Sequence, residues 1–205
     1  MPINVLRSNA KNDPLLRKVH RMSSLHFRFS AMNAGKSTYL LQVGHNYNEN
    51  GMKVLLLTSA LDGRDGYGVI ASRIGLKSEA TTYSPETDFA ALLQDVDVSC
   101  VLVDEAQFLS VDQVHQLHRW VHLRNTPVMC FGIRSDFRGN PFPGSAALLA
   151  LADSLEEIKT ICRCGKKATM NIRTDEHGGR VREGDQVLIG GNSRYRQVCA
   201  RCFYN

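Results

Sequence analysis

The sequence predicts an α/β fold: a mostly parallel sheet with helices on both faces, followed by a small C-terminal part of a different kind. Up to about residue 160, strand-like apolar runs alternate with helix-like stretches, as in parallel sheets crossed by helices. Beyond that point come short strand-like pieces, turns such as "DEHGGR" and two pairs of cysteines. We therefore expect a main domain at residues 22–160 and a smaller one at residues 161–205.

The first elements follow from local patterns. The stretch "LHFRFS" alternates and is rich in aromatic residues, which is typical of a strand. "KSTYLLQVGHNYNEN" then predicts a helix that ends at Gly51, and "MKVLLLTSA" is a second, fully apolar strand. Residues 61–75 are rich in glycine and predict a long loop, and long loops are often functional.

The second half of the main domain continues the alternation. A short helix is expected near residues 86–94, and "VSCVLVDEAQF" predicts a buried strand that ends in two acids. "SVDQVHQLHRWVHLR" predicts a helix capped by Ser110, and "TPVMCFGI" another apolar strand.

Charge is concentrated at the N-terminus. The chain has 205 residues and a formal net charge of +5. Residues 1–21 hold five cations against one acid, a net +4, which leaves +1 for all the rest. The folded part therefore has no strong positive field to attract nucleic acid, and no apolar run is long enough to span a membrane. We predict a protein with neither a nucleic-acid nor a membrane partner.

The basic segment 1–21 shows no clear helical or strand period. This composition predicts a disordered extension. Two alternatives are that the segment is an organelle-targeting signal, or that translation starts at Met22. Because the segment lacks the features of a secretory signal, we expect a reducing, cytoplasmic location. Cys100 and Cys130 lie in apolar runs and are expected to be buried as small hydrophobic residues.

Residues 30–37, "SAMNAGKS", match the phosphate-binding loop G-x-x-x-x-G-K-[ST] except at the first position, where Ser30 replaces glycine. In such a loop backbone amides surround phosphate oxygens at a helix N-terminus, a lysine reaches the β- and γ-phosphates and a hydroxyl reaches Mg²⁺. The strand before and the helix after favour this interpretation over a merely structural turn. The predicted phosphate-binding residues are Ser30, Ala31, Met32, Asn33, Ala34, Gly35, Lys36 and Ser37.

The run "VLVDEAQF" brings Asp104 and Glu105 to the carboxyl end of an apolar strand, where parallel sheets bind ligands. Asp104, together with Ser37, suits the magnesium side of a phosphate-loop enzyme, and Glu105 suits a catalytic base. The alternative is that Glu105 caps the next helix or forms an ion pair. The nearby phosphate loop favours the catalytic role, and Ala106 and Gln107 are included in the predicted nucleotide site.

Four cysteines near the C-terminus occur in two pairs, Cys162 with Cys164 and Cys199 with Cys202. Two close pairs of thiolates can complete a closed tetrahedral zinc site, which is structural because it has no open position. The first pair has the tighter C-x-C spacing, which we interpret as two side chains on one side of a strand. Four free thiols are the alternative.

Together these segments resemble the cytosolic-type, zinc-containing thymidine kinases, and in particular their bacterial branch. The resemblance extends from Met22 to Tyr204 and is carried, in order, by "SAMNAGKST", "LDGRDG", "VLVDEAQF", "GIRSDFRGNPFPGS", "TICRCGKKA" and "VLIGGNSRY". In the bacterial branch the loop commonly begins with serine or glycine, so Ser30 is compatible with the match.

The resemblance implies a P-loop NTPase-like domain and a zinc ribbon carrying a lasso loop at about residues 171–195. It implies transfer of the γ-phosphate of ATP to the 5′-hydroxyl of thymidine or deoxyuridine, in pyrimidine deoxynucleoside salvage, with Glu105 at the position of the base. ATP, Mg²⁺ and structural Zn²⁺ are the implied cofactors. The implied substrate-binding residues are Met32, Asp62, Arg64, Phe108, Phe137, Phe142, Leu188, Ile189, Gly190 and Tyr195.

The resemblance further implies a homotetramer and feedback inhibition by thymidine triphosphate. Two other classes of function are open to a chain with these motifs. One is a phosphate-loop ATPase that remodels nucleic acid, which the near-neutral folded part disfavours. The other is a non-catalytic nucleotide-binding or regulatory protein, which the complete set Lys36, Ser37, Asp104 and Glu105 disfavours.

Overall fold

Six parallel strands form the central sheet of the protein, seen in a computed structural model that describes residues 22–63, 66–188 and 194–205. Every neighbouring pair in this sheet is parallel. The order across the sheet is β5-β2-β6-β7-β1-β8. Its strands are β1 (Leu25–Ser30), β2 (Val54–Ser59), β5 (Thr81–Tyr83), β6 (Cys100–Val103), β7 (Val128–Ile133) and β8 (Ser154–Glu157).

Helices cover both faces of this sheet. They are α1 (Lys36–Glu49), α2 (Phe89–Leu92), α3 (Val111–Arg124) and α4 (Pro143–Leu151), with a 3₁₀ turn at Ala106–Phe108. Along β6, Leu102 packs in one apolar core with α1, whereas Val101 and Val103 pack in the other with α3 and α4. Successive strand residues point to opposite faces, so the two cores lie on opposite sides of the sheet. The predicted α/β class is confirmed.

The predicted start of α3 is confirmed in detail. The Ser110 hydroxyl accepts a hydrogen bond from the Gln113 amide at 3.1 Å, and the Gln113 side chain accepts one from the Ser110 amide at 3.0 Å. This reciprocal pair satisfies two amides that the first helical turn leaves without partners. The carboxamide of Gln113 also donates to the carbonyl oxygens of Ser84 and Thr87, which anchors the helix start to the loop after β5.

Residues 61–75 contain more structure than the sequence predicted. A short antiparallel hairpin pairs β3 (Val69–Ala71), in the second half of the expected loop, with β4 (Lys77–Glu79), just beyond the end of that loop. Its turn is made possible by Gly75, whose φ of +92° lies in the left-handed region. These strands were not predicted because each has only three residues, too few to show an alternation of apolar and polar side chains, and because glycine and serine lie around them.

In the C-terminal part, all strand pairs among the described residues are antiparallel. Strands β9 (Thr160–Ile161) and β10 (Lys167–Ala168) form a hairpin, and β11 (Met170–Thr174) pairs with β12 (Arg180–Val181) and β13 (Tyr195–Val198). The described chain ends with α5 (Ala200–Tyr204). A separate small core holds this part together, formed by Cys162, Ala168, Val198, Cys199 and Phe203. Within the ranges that the structure describes, no helix is long and apolar enough to cross a membrane.

Candidate active site

The phosphate-loop sequence lies between the end of β1 and the start of α1. Gly35, with φ of +81°, and Asn33, with φ of +62°, take left-handed conformations that let the chain curl ahead of the helix. The ammonium of Lys36 donates to the Ser30 hydroxyl and to the Ala31 carbonyl oxygen, each at 3.3 Å. Lys36 is only 9% exposed, so its charge is held inside the curve of the loop. This arrangement suits a bound phosphate group.

A hydroxyl and a buried carboxylate meet next to this loop. The Ser37 hydroxyl donates to Asp104 Oδ2 at 2.9 Å, and the Glu105 amide donates to Asp104 Oδ1 at 3.0 Å. Burial, reinforced by the neighbouring Glu105 carboxylate, raises the pKa of Asp104 to about 7. A nearby cation would favour the ionised form, and hard oxygen donors of this kind are the ligands that Mg²⁺ prefers. Ser37 and Asp104 therefore fit a magnesium ion.

Glu105 stands at an unusual point of the backbone. Its φ of +51° is left-handed, which is uncommon for a residue with a side chain and occurs often at functional sites. The Tyr83 hydroxyl, fully buried, lies 3.2 Å from the Asp104 carbonyl oxygen and 2.9 Å from that of Glu105. Glu105 precedes the 3₁₀ turn, yet its side chain makes no capping hydrogen bond there. The alternative role as a helix cap finds no support.

Gln107 connects Glu105 to the sheet. The side-chain NH₂ group of Gln107 donates to Glu105 Oε2, and the side-chain oxygen Oε1 of Gln107 accepts from the Ile133 amide at 3.2 Å. A Cβ atom on Gly132 would lie 2.9 Å from that Gln107 oxygen, so only glycine fits beside it. Gly144 makes a similar approach, since a Cβ there would lie 2.3 Å from the Leu109 carbonyl oxygen. These close contacts let the 3₁₀ turn that follows Glu105 pack directly against β7 and α4.

A cavity of about 670 Å³ opens at the carboxyl ends of the strands. Its wall includes Lys36 and Ser37 at one end and Tyr195 and Leu188 at the other. Predicted site residues from both halves of the chain thus line one space. Those on its wall are Met32, Asn33, Gly35, Lys36, Ser37, Asp62, Asp104, Glu105, Gln107, Phe108, Phe137, Phe142, Leu188 and Tyr195.

The second end of the cavity is aromatic. Phe108 and Phe142 meet edge to face with ring centroids 6.1 Å apart. The Arg173 guanidinium lies 3.9 Å from the centroid of the Phe137 ring and donates from Nη2 to the Tyr195 hydroxyl at 2.6 Å. The same guanidinium donates to the Asp185 carbonyl oxygen at 2.8 Å. One buried arginine therefore orients two aromatic walls and the chain that approaches residue 188.

Two hydrogen bonds join the phosphate loop to the C-terminal part. The Met32 amide donates to Asn171 Oδ1 at 2.8 Å, and the Asn33 side chain donates to Gln197 Oε1 at 2.9 Å. Asn171 lies on the central strand β11 and Gln197 on the neighbouring strand β13, so two strands of the small sheet contact the loop. The two ends of the cavity are mechanically connected through these side chains.

The four cysteines of the C-terminal part lie together. All four Sγ atoms are within 4.8 Å of one another, and those of Cys164 and Cys199 are 3.5 Å apart. Zinc bonds of about 2.3 Å would separate tetrahedral sulfurs by about 3.8 Å. Hydrogen bonds from the backbone amides of residues 164 and 199 lower the pKa of Cys162 to about 6, which favours a thiolate. The site therefore fits zinc.

The backbone conformation that places the first cysteine pair differs from the prediction. Cys162 and Cys164 do not lie along a strand but in a tight turn after β9, where the Gly165 amide donates to the Cys162 carbonyl oxygen at 2.9 Å. Gly165, with φ of +81°, permits the turn. Cys100 and Cys130 are fully buried, as predicted, and burial raises the pKa of Cys100 to about 12.

Some predicted residues lie elsewhere. Four of them form the phosphate loop or the 3₁₀ turn but do not line the cavity: Ser30, Ala31, Ala34 and Ala106. Others lie outside the described residues: Arg64, Ile189, Gly190 and the segment 1–21. Tyr83, Asn171 and Arg173 were not predicted as site residues. Each is an ordinary residue in a strand-like stretch, and nothing local distinguishes a polar side chain that a distant segment will bury.

Comparisons with known proteins agree with this geometry. A family model described as thymidine kinase matches residues 23–203. The chain is 58% identical to a thymidine kinase of Chromobacterium violaceum over 90% of this chain and 100% of that one. It is 57% identical to one of Albidiferax ferrireducens, over 89% of this chain and 93% of that one, and 55% identical to one of Idiomarina loihiensis, over 88% and 95%.

Proposed function

The chain belongs to the thymidine kinase family, and from this premise we propose how its residues divide the work of phosphoryl transfer. The reaction is transfer of the γ-phosphate of ATP to the 5′-hydroxyl of thymidine or deoxyuridine. Residues 22–160 bind the donor and carry the base, and residues 161–205 close over the acceptor.

The donor end is the phosphate loop. The amides of residues 30–37 and the Lys36 ammonium bind the phosphates of ATP, since the loop curls at the start of α1 with the lysine inside it. Ser37 and Asp104 hold the magnesium ion, which offsets negative charge on the transferring group when bound. Electrostatic positioning of this kind supplies most of the catalysis in phosphoryl transfer.

Glu105 accepts the proton of the attacking hydroxyl. Its carboxylate is oriented by the Gln107 amide, which is itself fixed by the Ile133 amide. The Tyr83 hydroxyl lies within hydrogen-bond distance of the backbone carbonyl oxygens of Asp104 and Glu105, which fixes the backbone on both sides of the Glu105 Cα atom. A base held in one place is effective because the proton can leave as the oxygen attacks phosphorus.

The acceptor end binds the nucleoside between aromatic walls. Phe108, Phe137 and Phe142 supply apolar surface for a flat pyrimidine, and Tyr195 lies beside them with its hydroxyl held by Arg173. Met32, Asp62 and Leu188 complete the wall. Arg64, Ile189 and Gly190 are proposed to join them from the segments outside the described residues.

Zinc at the four cysteines supports this end. Zinc bound there would join the turn after β9 to the start of α5. The strands β11 and β13, which carry Asn171, Arg173 and Tyr195, lie in the chain between these two segments. We further propose a cytoplasmic homotetramer inhibited by thymidine triphosphate, whose base and phosphates match the two ends of the cavity.

The single observation that carries the proposal is the shared cavity, lined by the phosphate loop, Glu105 and the aromatic wall. The test is ATP turnover against a panel of nucleosides. Thymidine and deoxyuridine are expected to be phosphorylated, and purine nucleosides are not. Comparable kcat/KM values for deoxyguanosine and thymidine would overturn the acceptor assignment, and ATP hydrolysis stimulated by DNA but not by nucleosides would point to the nucleic-acid class.

A further inference from the structure

A cluster of three metal-binding side chains lies at the end of the sheet opposite the cavity. His118 and His122 are one turn apart on α3 and share one face of the helix. Asp153 follows α4 and directly precedes β8. The Asp153 carboxylate also accepts a hydrogen bond from the amide of Leu25, the first residue of β1. The cluster therefore joins the end of α3 to the starting edge of two strands.

The distances in the cluster match those between ligands of one ion. His122 Nε2 lies 3.3 Å from His118 Nε2 and 3.4 Å from Asp153 Oδ2, and all three atoms are within 4.8 Å of one another. Both distances exceed the usual hydrogen-bond range of about 2.7–3.2 Å. They equal the edge of a tetrahedron with arms of about 2.0–2.1 Å, which is about 3.3–3.4 Å and is the size of a zinc site with nitrogen and oxygen ligands.

The surroundings favour a cation. His122 Nδ1 is buried and has no hydrogen-bond partner among the described residues, and Nε2 is the ring nitrogen that faces the other two side chains of the cluster. Both histidines lie in the last two turns of α3, at the negative end of the helix dipole. The Leu25 amide orients the carboxylate, as groups behind a metal ligand commonly do.

We propose that His118, His122 and Asp153 form a second metal site, for a divalent transition ion such as Zn²⁺. Imidazole and carboxylate donors suit zinc, nickel, cobalt and copper, and the ligand set differs from the all-thiolate site of the small domain. The side chains of His122 and Asp153 are 28% and 33% exposed, which leaves a fourth position open to water and a route for the ion. Bound there, the ion stabilises the sheet edge and takes no part in the reaction.

The test is a Zn²⁺ titration, followed by calorimetry and thermal unfolding, of full-length protein already carrying zinc at its cysteines. The wild type should bind one further equivalent, and at a hundredfold excess over Kd its Tm should rise by roughly 5–10 °C. His118→Asn and Asp153→Asn should lose both effects. Asp153→Asn keeps an oxygen that can accept from the Leu25 amide, so it separates metal binding from folding.

His115→Asn is the matched control, because His115 is exposed on the same helix outside the cluster. It should keep the further equivalent. The proposal is overturned if wild-type protein binds no additional Zn²⁺, or if the binding persists in both His118→Asn and Asp153→Asn. Thymidine phosphorylation should be unchanged in all three variants, since the cluster lies far from the cavity.

Discussion

The two ends of the cavity are built in different ways. The donor end is local: eight consecutive residues, 30–37, supply the loop, and the acid pair follows one strand. The acceptor end draws single side chains from widely separated elements, such as Phe108 after β6, Phe142 before α4 and Tyr195 on β13. A local site leaves a motif in the sequence, whereas a site assembled from distant strands leaves ordinary residues. Substitutions at the two ends should therefore have separable effects on ATP and thymidine.

The largest effect is expected at the donor end. Glu105→Gln preserves the shape of the side chain and removes the proton acceptor, so kcat should fall about 10²–10⁴-fold while ATP still binds. Steady-state kinetics and ATP-binding calorimetry measure the two quantities. Glu49→Gln, an exposed change on α1, is the control and should be neutral. A near-normal kcat at neutral pH in Glu105→Gln would show that Glu105 has a structural role and is not the base.

Loss of the zinc site should damage the acceptor end most. Cys202→Ser removes one thiolate, and a small zinc domain loses its fold when the ion is lost. Thymidine binding should disappear, and metal analysis should fall from about one cysteine-bound zinc per chain to none. Cys100→Ala, in the core of the main domain, should keep the zinc. Full thymidine affinity in a zinc-free variant would show that the domain does not depend on the ion.

A smaller effect at the same end is expected from Tyr195→Phe. The change removes the hydroxyl that accepts hydrogen bonds from Nε and Nη2 of the buried Arg173 guanidinium. Losing the acceptor of a buried donor costs about 1–3 kcal/mol. The KM for thymidine should rise roughly 5–100-fold, and the KM for ATP should stay the same. Tyr204→Phe is the control, since that side chain is exposed. Equal rises in both KM values would mean that the two ends are not separable.

The smallest effect concerns the bridge between the ends. Asn171→Ala removes the acceptor of the Met32 amide, a hydrogen bond worth about 1 kcal/mol, so the KM for ATP should rise roughly fivefold together with that for thymidine. Gln197→Ala removes the second bridge, which joins Asn33, and should act in the same direction. An Asn171→Ala variant that changes the KM for thymidine alone would show that the bridge does not support the loop.

The fold and the donor end were predictable for physical reasons. Apolar strands alternating with helices identify a parallel sheet. Few structures other than a phosphate-binding site need Gly35 and Lys36 between a strand and a helix together with an acid, Asp104, at the end of another apolar strand. Four paired cysteines were equally visible, although their turn geometry was not. Arg173 and Asn171 could not be found, because their burial depends on the pairing of β11 with β13 and on the packing of that sheet against the loop.

The hairpin that begins within residues 61–75 shows the same limit on a smaller scale. Val69–Ala71 is too short to display alternation, and its pairing with Lys77–Glu79 depends on a turn at Gly75. The His118, His122 and Asp153 cluster is a third case. The helical spacing of the two histidines is visible in the sequence, but the carboxylate joins them only through the fold.

The central claim is that one cavity holds donor and acceptor at once. Equilibrium dialysis of labelled ATP and labelled thymidine against Glu105→Gln tests it, because this variant is expected to bind both without consuming them. We expect one ATP and one thymidine to be bound per chain at the same time, and a single equivalent of thymidine triphosphate to displace both. Displacement of ATP alone, or mutual exclusion of ATP and thymidine, would contradict it.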